Sequence, residues 1–358
     1  MTTRTLVIAE AGVNHNGSIE HALALVDIAA SAGADVVKFQ TFKADQLATA
    51  GASKAEYQVT NTGESGSQLE MLRRLELSPQ AHRVLLDRCV KRGIRFMSTA
   101  FDLDSLAFVA GLDMPAIKIP SGDITCAPLL LDAARLKRPL IVSSGMSTLG
   151  DIERALSVLA FGLTNPDDPR ETADFERAYF SADGQQALRD HVTLLHCVTQ
   201  YPAPASSVNL RAMATMRDAF GLPVGYSDHT LGTEVSIAAV ALGATVIEKH
   251  FTISRDMPGP DHAASLEPAE LHALVSSIRN VEQALGSPAK QPGPEELPNR
   301  GIARRSVVAA RSIRQGEVLT LQMLASKRPG TGISPMDLWS LVGRPAHRDY
   351  QPDDLIER

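Results

Sequence analysis

The sequence predicts a closed (β/α)8 barrel followed by a smaller C-terminal domain. Over the first 285 of its 358 residues, short β-branched runs alternate with amphipathic stretches rich in Ala and Leu. Polar residues concentrate where the short runs end, and a Pro- and Gly-rich segment follows Gly286. Repeated strand–helix units in a segment of this length are typical of a barrel, which usually takes about 250 residues.

The predicted strands are short apolar runs that end in polar residues or glycine. They are Thr5–Ala9, Asp35–Thr41, Arg95–Phe101, Ala116–Ser121, Pro139–Ser144, His191–Val198, Pro223–His229 and Val246–Thr252. A doubly wound open sheet is the alternative. It needs fewer strands, however, and no Gly-x-Gly-x-x-Gly pattern follows the first strand.

The predicted helices follow the strands and carry recognisable end signals. They are Ser18–Gly33, Ser78–Arg92, Asp104–Gly111, Pro128–Lys137, Leu149–Phe161, Val208–Phe220, Gly232–Gly243 and Pro268–Leu285. Ser18 and Ser78 are typical N-cap residues, and Gly33, Gly93 and Gly243 stand where helices commonly end.

Two longer connections interrupt the alternation. Lys43–Leu77 leaves the carboxyl end of the second strand, so it either covers the mouth of the barrel or packs only on itself. Leu163–Asp190 is polar and lies between a helix and the sixth strand. It therefore belongs to the opposite end of the barrel, where we expect no chemistry.

A change of composition divides the chain into domains. We expect the barrel to span residues 1–285, a linker to span 286–305 and a second domain to span 306–358. The linker contains SPAKQPGPEELPNRG, whose Pro and Gly residues disfavour regular structure. Short β-branched pieces separated by turns follow it, which predicts a small separate domain.

The bulk composition limits the class of protein. The formal net charge is −6 and no basic stripe is present, which argues against a nucleic-acid partner. Cys89, Cys126 and Cys197 are widely spaced, which indicates a reducing compartment and no disulfide framework. The first residues lack a secretory leader and no uncharged apolar run approaches ~18 residues. We therefore expect a cytoplasmic protein with no membrane partner.

Polar groups at the predicted strand ends point to an enzyme. In a barrel the carboxyl ends of the strands converge on one mouth, so residues far apart in sequence become neighbours. The candidates are Glu10, Lys38, Gln40, Ser98, Thr99, Lys118, Ser121, Ser143, Ser144, His196, Thr199, Ser227, Asp228, His229, Glu248 and His250. Because the strand interiors are otherwise apolar, this concentration of polarity predicts a catalytic site.

His229 and His250 form a candidate metal site. Each ends a short apolar run, and one helix-like run separates them, so they are expected at neighbouring ends of parallel strands. Alternation along a strand lets both face the mouth. Two imidazoles with water as the remaining ligands suit Mn²⁺ or a similar ion. The alternative is that each is a hydrogen-bonded structural histidine.

Lys38 and Lys118 are candidate ligands for phosphate or carboxylate oxygens. Neutral donors near them are Ser121, Ser143 and Ser227. Two alternatives remain open. The lysines are either partners of Glu10 and Glu248 in a structural ion network, or one of them is the Schiff-base nucleophile of an aldolase. In the catalytic interpretation, Glu10 activates water or stabilises a developing positive charge.

Motifs in a fixed order resemble the bacterial sialic acid synthase family, which makes nonulosonic acids such as N-acetylneuraminate and N,N′-diacetyllegionaminate. The motifs are IAEAGVNHNGS, DVVKFQTFKAD, KAEYQVTNTGES, SQLEM, FMSTAFD, IKIPSGDI, IVSSGM, LLHC, YPAP, GYSDHT, VIEKHFT, GPDHAAS and KRPGTGISP. The resemblance extends over almost the full chain. It implies a (β/α)8 barrel with a C-terminal antifreeze-like (SAF) domain, in a homodimer whose SAF domains reach across to the partner's barrel.

The resemblance also implies a reaction. Phosphoenolpyruvate would condense with N-acetylmannosamine or a close analogue, and phosphate would be released. A divalent ion, Mn²⁺ first and Mg²⁺ or Co²⁺ as alternatives, would polarise the sugar aldehyde. Water would then add to the enol C2, and phosphate would leave from a tetrahedral intermediate.

The family's site residues fall on matching positions of this chain. The metal-binding histidines correspond to His229 and His250, and the carboxylate of the water-addition step corresponds to Glu10. Phosphoenolpyruvate contacts correspond to Lys38, Thr99, Lys118, Ser121, Ser143, Thr199 and Ser227. Sugar contacts correspond to Gln40, Asp123, Tyr201, Asp261 and Arg328, and the swapped domain contributes Arg328. Arg328 lies in the glycine-rich segment Lys327–Ser334. Without the resemblance, this segment would be interpreted as an exposed turn.

The chain departs from the family pattern at a few positions. Thr199-Gln200 replaces the usual Thr-Asn or Thr-Glu, and Thr199 stands where some members have an asparagine near phosphate. Asp123 replaces a common Glu, and the Leu163–Asp190 connection is long. The sugar therefore stays open between N-acetylmannosamine and 2,4-diacetamido-2,4,6-trideoxymannose. A keto-deoxy-octulosonate-type synthase acting on sugar phosphates, and a carbohydrate-binding protein on an inactive barrel, are the alternatives in function.

Overall fold

Eight parallel strands form one sheet in the computed structural model, which describes residues 4–63 and 66–358. The strands are β1 (Leu6–Gly12), β2 (Val36–Thr41), β3 (Arg95–Ala100), β4 (Ile117–Ile119), β5 (Leu140–Ser143), β6 (Val192–Cys197), β7 (Val224–Asp228) and β8 (Val246–His250). Their order is β3-β2-β1-β8-β7-β6-β5-β4, and β3 lies beside β4. The sheet therefore curls into the predicted barrel, although the described residues give β3 and β4 no hydrogen-bonded ladder.

The strands are buried because both of their faces are covered. One face fills the interior of the barrel and the other packs against a ring of helices. The helices that follow the strands are α1 (Ile19–Ala32), α5 (Pro79–Arg92), α6 (Leu103–Ala110), α7 (Ala127–Arg135), α8 (Leu149–Thr164), α11 (Ala212–Phe220), α12 (Glu234–Ala241) and α13 (Pro268–Leu285). Each predicted strand and helix has a counterpart here, with ends that differ by a few residues.

The predicted end signals of the helices act as expected. The Ser18 side chain accepts a hydrogen bond from the backbone N–H of His21, and Ser78 accepts one from Ala81. Gly33 and Gly93 end α1 and α5 in the left-handed region, with φ of 80° and 68°, where glycine has no steric penalty.

Both long connections contain helices. Residues 43–77 form α2 (Ala44–Leu47), α3 (Glu56–Thr62) and α4 (Gln68–Leu75), and the KAEYQVTNTGES motif ends at Glu64 and Ser65, which lie outside the described residues. The polar connection 163–190 forms α9 (Ala173–Phe180) and most of α10 (Ala182–His191), and both pack on α8. The sequence predicts residues 163–190 only as a polar connection. The two helices were not predicted because each is short and has few apolar residues on its buried face.

The chain divides into two compact units, Met1–Gly286 and Ser287–Arg358. The second unit contains a two-stranded antiparallel sheet, β9 (Ser306–Ala309) with β10 (Leu324–Lys327), over its own apolar core. Part of the predicted linker, residues 286–305, forms a short helix, α14 (Leu297–Ala303). Pro298 lies in the first turn of α14, where its missing N–H costs no hydrogen bond.

Within the described residues, no helix has both the length and the apolar character required to cross a membrane.

Candidate active site

A cavity of about 340 Å³ opens at the carboxyl ends of the barrel strands. Every barrel residue to which the family resemblance assigns a role lines it. These residues are Glu10, Lys38, Gln40, Thr99, Lys118, Ser121, Asp123, Ser143, Thr199, Tyr201, Ser227, His229, His250 and Asp261. The remaining predicted residue, Arg328, is exposed in the second unit.

Some polar residues at strand ends do not line the cavity. Ser98 hydrogen-bonds to Thr41, the Ser144 hydroxyl donates to the Leu195 carbonyl, and a His196 ring nitrogen lies 2.6 Å from the Val208 carbonyl. These side chains form hydrogen bonds with nearby backbone or side-chain groups. Alternation along each strand therefore separates the cavity face from a structural face.

Lys38 lies at the centre of a buried ion network on the floor of the cavity. Its Nζ atom is 2.7 Å from Glu10 Oε2 and 3.5 Å from Glu248 Oε2, and it donates to the Thr99 hydroxyl at 2.9 Å. Burial disfavours the charged amine, but Glu10 and Glu248 outweigh that cost and raise the pKa of Lys38. The side chain is therefore a fixed positive charge with three oxygen neighbours.

Lys118 is the second cation on the cavity floor. Its Nζ atom donates to Ser143 Oγ at 2.7 Å and to the Ile119 carbonyl at 3.2 Å, and Glu248 Oε1 is 3.7 Å away. Burial lowers the pKa of Lys118, and the Glu248 carboxylate opposes this effect. Lys118 is thus less fully balanced by carboxylates than Lys38, which favours the binding of an additional anion.

The two carboxyl groups on the floor have opposite protonation behaviour. Burial raises the pKa of Glu10 to about 7, although Lys38 opposes the shift. Burial also disfavours ionised Glu248, but Lys118 and Lys38 outweigh it and hold the pKa of Glu248 at about 2. Glu248 is therefore a constant anion, fixed further by a 2.9 Å bond from Ser227, whereas Glu10 can gain or lose a proton near neutral pH.

His229 and His250 lie together at the ends of β7 and β8, with ring centroids 5.5 Å apart. His229 Nδ1 is 2.7 Å from the Val198 carbonyl, which can only accept, so Nδ1 carries the proton and Nε2 keeps a lone pair. The buried Nδ1 of His250 has no hydrogen-bond partner. Burial lowers the pKa of both histidines, so both are neutral near pH 7.

These features fit a metal ion better than two structural histidines, because neutral imidazoles with free lone pairs are ligands. The described residues contain no group of three or more His, Cys, Asp or Glu side chains placed to hold a metal. In the predicted site His229 and His250 would be the protein ligands, and water or substrate would supply the others.

Aromatic and acidic side chains surround the histidines on the upper wall. The Tyr201 ring lies 4.1 Å from the His229 ring and 5.1 Å from the Tyr57 ring, measured between centroids. Burial raises the pKa of Asp123 and of Asp261 to about 6. Asp123 Oδ2 is buried without a hydrogen-bond partner, so it is available to a polar ligand.

Gly145 makes the neutral-donor side of the cavity possible. The Ser121 hydroxyl accepts from the Gly145 N–H at 3.0 Å and contacts Cys197 Sγ at 3.0 Å. A Cβ atom at position 145 would lie 2.2 Å from Thr199 Oγ1 and 2.8 Å from Ser121 Oγ. Only glycine at position 145 therefore leaves room for both hydroxyls.

Sequence reasoning missed two contributors to the cavity. Glu248, a strand-end candidate in the sequence, lines the cavity as expected. Tyr57 is not singled out by the sequence, because a single tyrosine in a long connection carries no positional signal. The other is an apolar wall, which the structure builds from Val13, Phe42, Leu47, Met71, Leu72, Leu75 and Phe101. Most of these residues come from the connection after β2, so that connection covers the mouth.

The barrel and the cavity together define an enzyme, because titratable groups with displaced pKa values and free ligand atoms meet at the mouth where barrel enzymes place their chemistry. Comparison with known proteins identifies the family. The NeuB family model matches residues 25–290, and the SAF domain model matches residues 304–357. The chain therefore belongs to the NeuB family and carries a SAF domain, which confirms the predicted resemblance and fold.

The chain is similar to several members of this family over most of its length. It is 46% identical to an N,N′-diacetyllegionaminic acid synthase of Campylobacter jejuni over 99% of both chains. A second N,N′-diacetyllegionaminic acid synthase, from Legionella pneumophila, is also 46% identical, over 94% of this chain and 89% of the relative. The crystal structure of an N-acetylneuraminic acid synthetase from Leptospira borgpetersenii is 30% identical, with a TM-score of 0.66, over 83% of this chain and 90% of that chain.

Proposed function

We propose that this protein is a nonulosonic acid synthase that condenses phosphoenolpyruvate with an N-acetylated mannosamine-type sugar and releases phosphate. This proposal rests mainly on one observation, which is that a single cavity combines two buried lysines with a pair of neutral histidines. The lysines suit an anion with a phosphate and a carboxylate, and the histidines suit a metal ion beside an aldehyde. Membership of the NeuB family supports the same reaction.

Phosphoenolpyruvate would bind on the cavity floor. Lys38 and Lys118 would supply its positive partners, and the neutral donors would come from Thr99, Ser121, Ser143, Thr199 and Ser227. Glu248 raises the pKa of both lysines against the effect of burial, which favours their charged forms before the substrate arrives. Such preorganisation places donors without further cost at the moment of reaction.

The sugar would bind above, with its aldehyde next to the histidines. Gln40, Asp123, Tyr201 and Asp261 would contact its hydroxyl and amide groups. His229 and His250 would hold a divalent ion, Mn²⁺ with Mg²⁺ or Co²⁺ as alternatives, which would supply Lewis-acid polarisation of the aldehyde oxygen.

The bond changes balance without an oxidant or reductant. The enol C3 of phosphoenolpyruvate forms a bond with the aldehyde carbon, and the aldehyde oxygen takes up a proton and becomes a hydroxyl. Water adds to C2, and Glu10 in its ionised form accepts one of the water protons, which replaces the proton taken up by the aldehyde oxygen. Because the pKa of Glu10 is raised to about 7, both of its forms exist near neutral pH. The bond between C2 and the phosphate oxygen then breaks, the remaining proton of the added water passes to the departing phosphate, and C2 becomes the carbonyl carbon of a 2-keto acid.

The sugar we favour is 2,4-diacetamido-2,4,6-trideoxymannose, and N-acetylmannosamine is the second candidate. Two relatives that are 46% identical to this chain are N,N′-diacetyllegionaminic acid synthases. The apolar wall of the cavity offers contacts to the C6 methyl and the second acetamido methyl, which N-acetylmannosamine lacks.

We further propose that the enzyme is a domain-swapped homodimer of the cytoplasm. In this arrangement, Arg328 of one subunit would hydrogen-bond to the N-acyl carbonyl of the sugar in the other. Arg328 is exposed, as a residue that completes a site in another subunit must be before assembly.

The metal assignment predicts that His229→Ala and His250→Ala each lower turnover by more than about 100-fold and weaken Mn²⁺ binding, because each removes one of two protein ligands. Phosphate release and Mn²⁺ affinity should be measured together, with circular dichroism as a check of the fold. His196→Ala is the matched control, since this histidine does not line the cavity. Near-normal activity in either site variant would contradict the assignment, as would turnover that persists in chelator.

The raised pKa of Glu10 predicts that phosphoenolpyruvate binds more weakly as the pH rises from about 6 to about 8. Protonated Glu10 leaves Lys38 free for the substrate, whereas ionised Glu10 pairs with Lys38 and repels the anion, as Glu248 does at every pH in this range. Isothermal titration calorimetry at several pH values measures the effect. Glu10→Gln removes the titrating carboxyl group and should flatten the pH profile of binding. The substrate's own titration is the same for both proteins, so any difference between the two profiles comes from Glu10. Identical pH profiles would exclude Glu10 as the titrating group.

Arg328→Ala is predicted to raise the KM for the sugar by about 10- to 100-fold, the effect of losing one charged hydrogen bond. The KM for phosphoenolpyruvate should not change, because its proposed ligands all lie in the barrel. Arg344→Ala, which removes another exposed arginine of the second unit, is the control. Equal losses for both substrates would argue against a sugar contact.

A substrate panel tests both the reaction and the sugar. Phosphate release should be faster with 2,4-diacetamido-2,4,6-trideoxymannose than with N-acetylmannosamine. Leu72→Gln should reduce this preference in kcat/KM by about tenfold, because it makes the apolar wall polar where Leu72 is half-exposed to the cavity. A strict requirement for a sugar phosphate would refute the proposed function, and a preference unaffected by Leu72→Gln would refute the role of the wall.

A further inference from the structure

An ion pair is buried behind the two histidines, on the opposite face of β7 and β8. Asp228 and Lys249 are each 1% exposed, and Lys249 Nζ lies 2.9 Å from Asp228 Oδ2. The two residues are direct partners in the register of the parallel strands. Each immediately precedes a histidine, Asp228 before His229 and Lys249 before His250.

The pair does not belong to the cavity. The side chains of Ser227, His229, Glu248 and His250 line the cavity, whereas those of the pair alternate to the other face of the strands. There the Ser236 hydroxyl, on α12, donates to Asp228 Oδ2 at 2.6 Å. Neither charge therefore touches a substrate or the reacting atoms.

The hydrogen bonds around the pair enclose the backbone of His229. Asp228 Oδ1 accepts from the Thr230 N–H at 2.8 Å and from the Thr230 hydroxyl at 2.7 Å. Lys249 Nζ also donates to the Thr230 carbonyl, at 2.5 Å. The residues on both sides of His229 are thus tied to the residue that precedes His250.

Stability alone does not account for this arrangement. Removing two charges from water costs several kcal/mol per ion in general, and apolar residues of similar volume often replace a buried ion pair without loss of stability. Lys249 makes directional bonds to both Asp228 and Thr230. These bonds fix the distance between the ends of β7 and β8, which apolar packing would not do. Both ends carry a proposed metal ligand.

The proposed metal site makes this distance important. In the proposed site His229 and His250 are the two protein ligands, so the separation of their backbones sets the distance between the ligand atoms. His229 is also fixed by its bond to Val198, while the buried Nδ1 of His250 has no hydrogen-bond partner. The orientation of His250 therefore depends on how its backbone is held.

We infer that Asp228 and Lys249 are positioning residues that set the separation of His229 and His250 and thereby the affinity of the site for a divalent metal. The inference rests on the proposed metal site. The pair acts through the backbone of the histidines rather than by contact with the metal.

The test is the double variant Asp228→Asn/Lys249→Met, which removes both charges and keeps similar shapes, so no unpaired charge is left buried. The single change Asp228→Asn is avoided, because Lys249 would then remain charged without its carboxylate. Mn²⁺ affinity, measured from the free-ion electron paramagnetic resonance signal, should fall by about 10- to 100-fold. The KM for phosphoenolpyruvate should change little, because its lysine ligands lie on β2 and β4.

A matched control separates positioning from general stability. Arg279 and Asp35 form another partly buried ion pair, at 2.5 Å, near the amino ends of the strands. Asp35→Asn/Arg279→Met should leave Mn²⁺ affinity unchanged whatever its effect on the melting temperature. An equal loss of affinity in both double variants would overturn the inference, as would wild-type affinity in Asp228→Asn/Lys249→Met.

A second readout does not depend on metal. In a crystal structure of the metal-free double variant, the separation of the two histidine rings should differ from 5.5 Å by more than about 0.5 Å. An unchanged separation would overturn the inference. If the wild-type protein binds no divalent ion, the proposed metal site fails by itself, and the claim that this pair sets metal affinity falls with it.

Discussion

The buried charges on the floor of the barrel constrain the rest of the structure. Lys38, Lys118, Glu10 and Glu248 come from four different strands, yet ion pairs of less than 4 Å join them into one connected network. Leaving any one of these charges without its partner costs about 3–5 kcal/mol. The register of β1, β2, β4 and β8 must therefore hold all four in place at once. The same requirement prepares the site for an anion, because one carboxylate, Glu10, can release its lysine by taking up a proton.

The two faces of β7 and β8 carry side chains with different roles. The inner face of β7 and β8 carries Ser227, His229, Glu248 and His250, whereas the outer face carries Asp228 and Lys249. The inner residues supply ligand atoms, and the outer pair ties the backbone that presents them. Because successive side chains alternate, a one-residue slip of either strand would exchange these roles.

The connection after β2 illustrates how selectivity is added to the chemistry of the floor. The floor carries the charges that would bind phosphoenolpyruvate in the proposed reaction, while α2, α3 and α4 contribute Tyr57 and most of an apolar wall above it. Substitutions in this connection can change the shape and polarity of the wall without altering the floor. The position of the connection, at the carboxyl end of a strand, is what gives it access to the substrate.

The sequence by itself determined the barrel, its strands and the candidate residues on its mouth. Strand and helix periodicities are local, and the converging strand ends then follow from the closed topology, so Glu10, Lys38, Lys118, His229 and His250 could be grouped without coordinates. The sequence also allowed the lysines to pair with Glu10 and Glu248 in an ion network, and the structure shows these pairs. In the proposed function the same network prepares the floor for an anion.

Only the tertiary structure decided which strand-end groups reach the cavity. It also decided the protonation states of the two glutamates on the cavity floor. Ser98, Ser144 and His196 are as polar as the residues that line it, but they lie outside it and hydrogen-bond to groups of the surrounding structure. The pKa difference between Glu10 and Glu248 depends on distances of a few ångströms to two lysines, which no sequence pattern contains. Burial and Coulomb interactions are properties of the folded arrangement, whereas periodicity is a property of the chain.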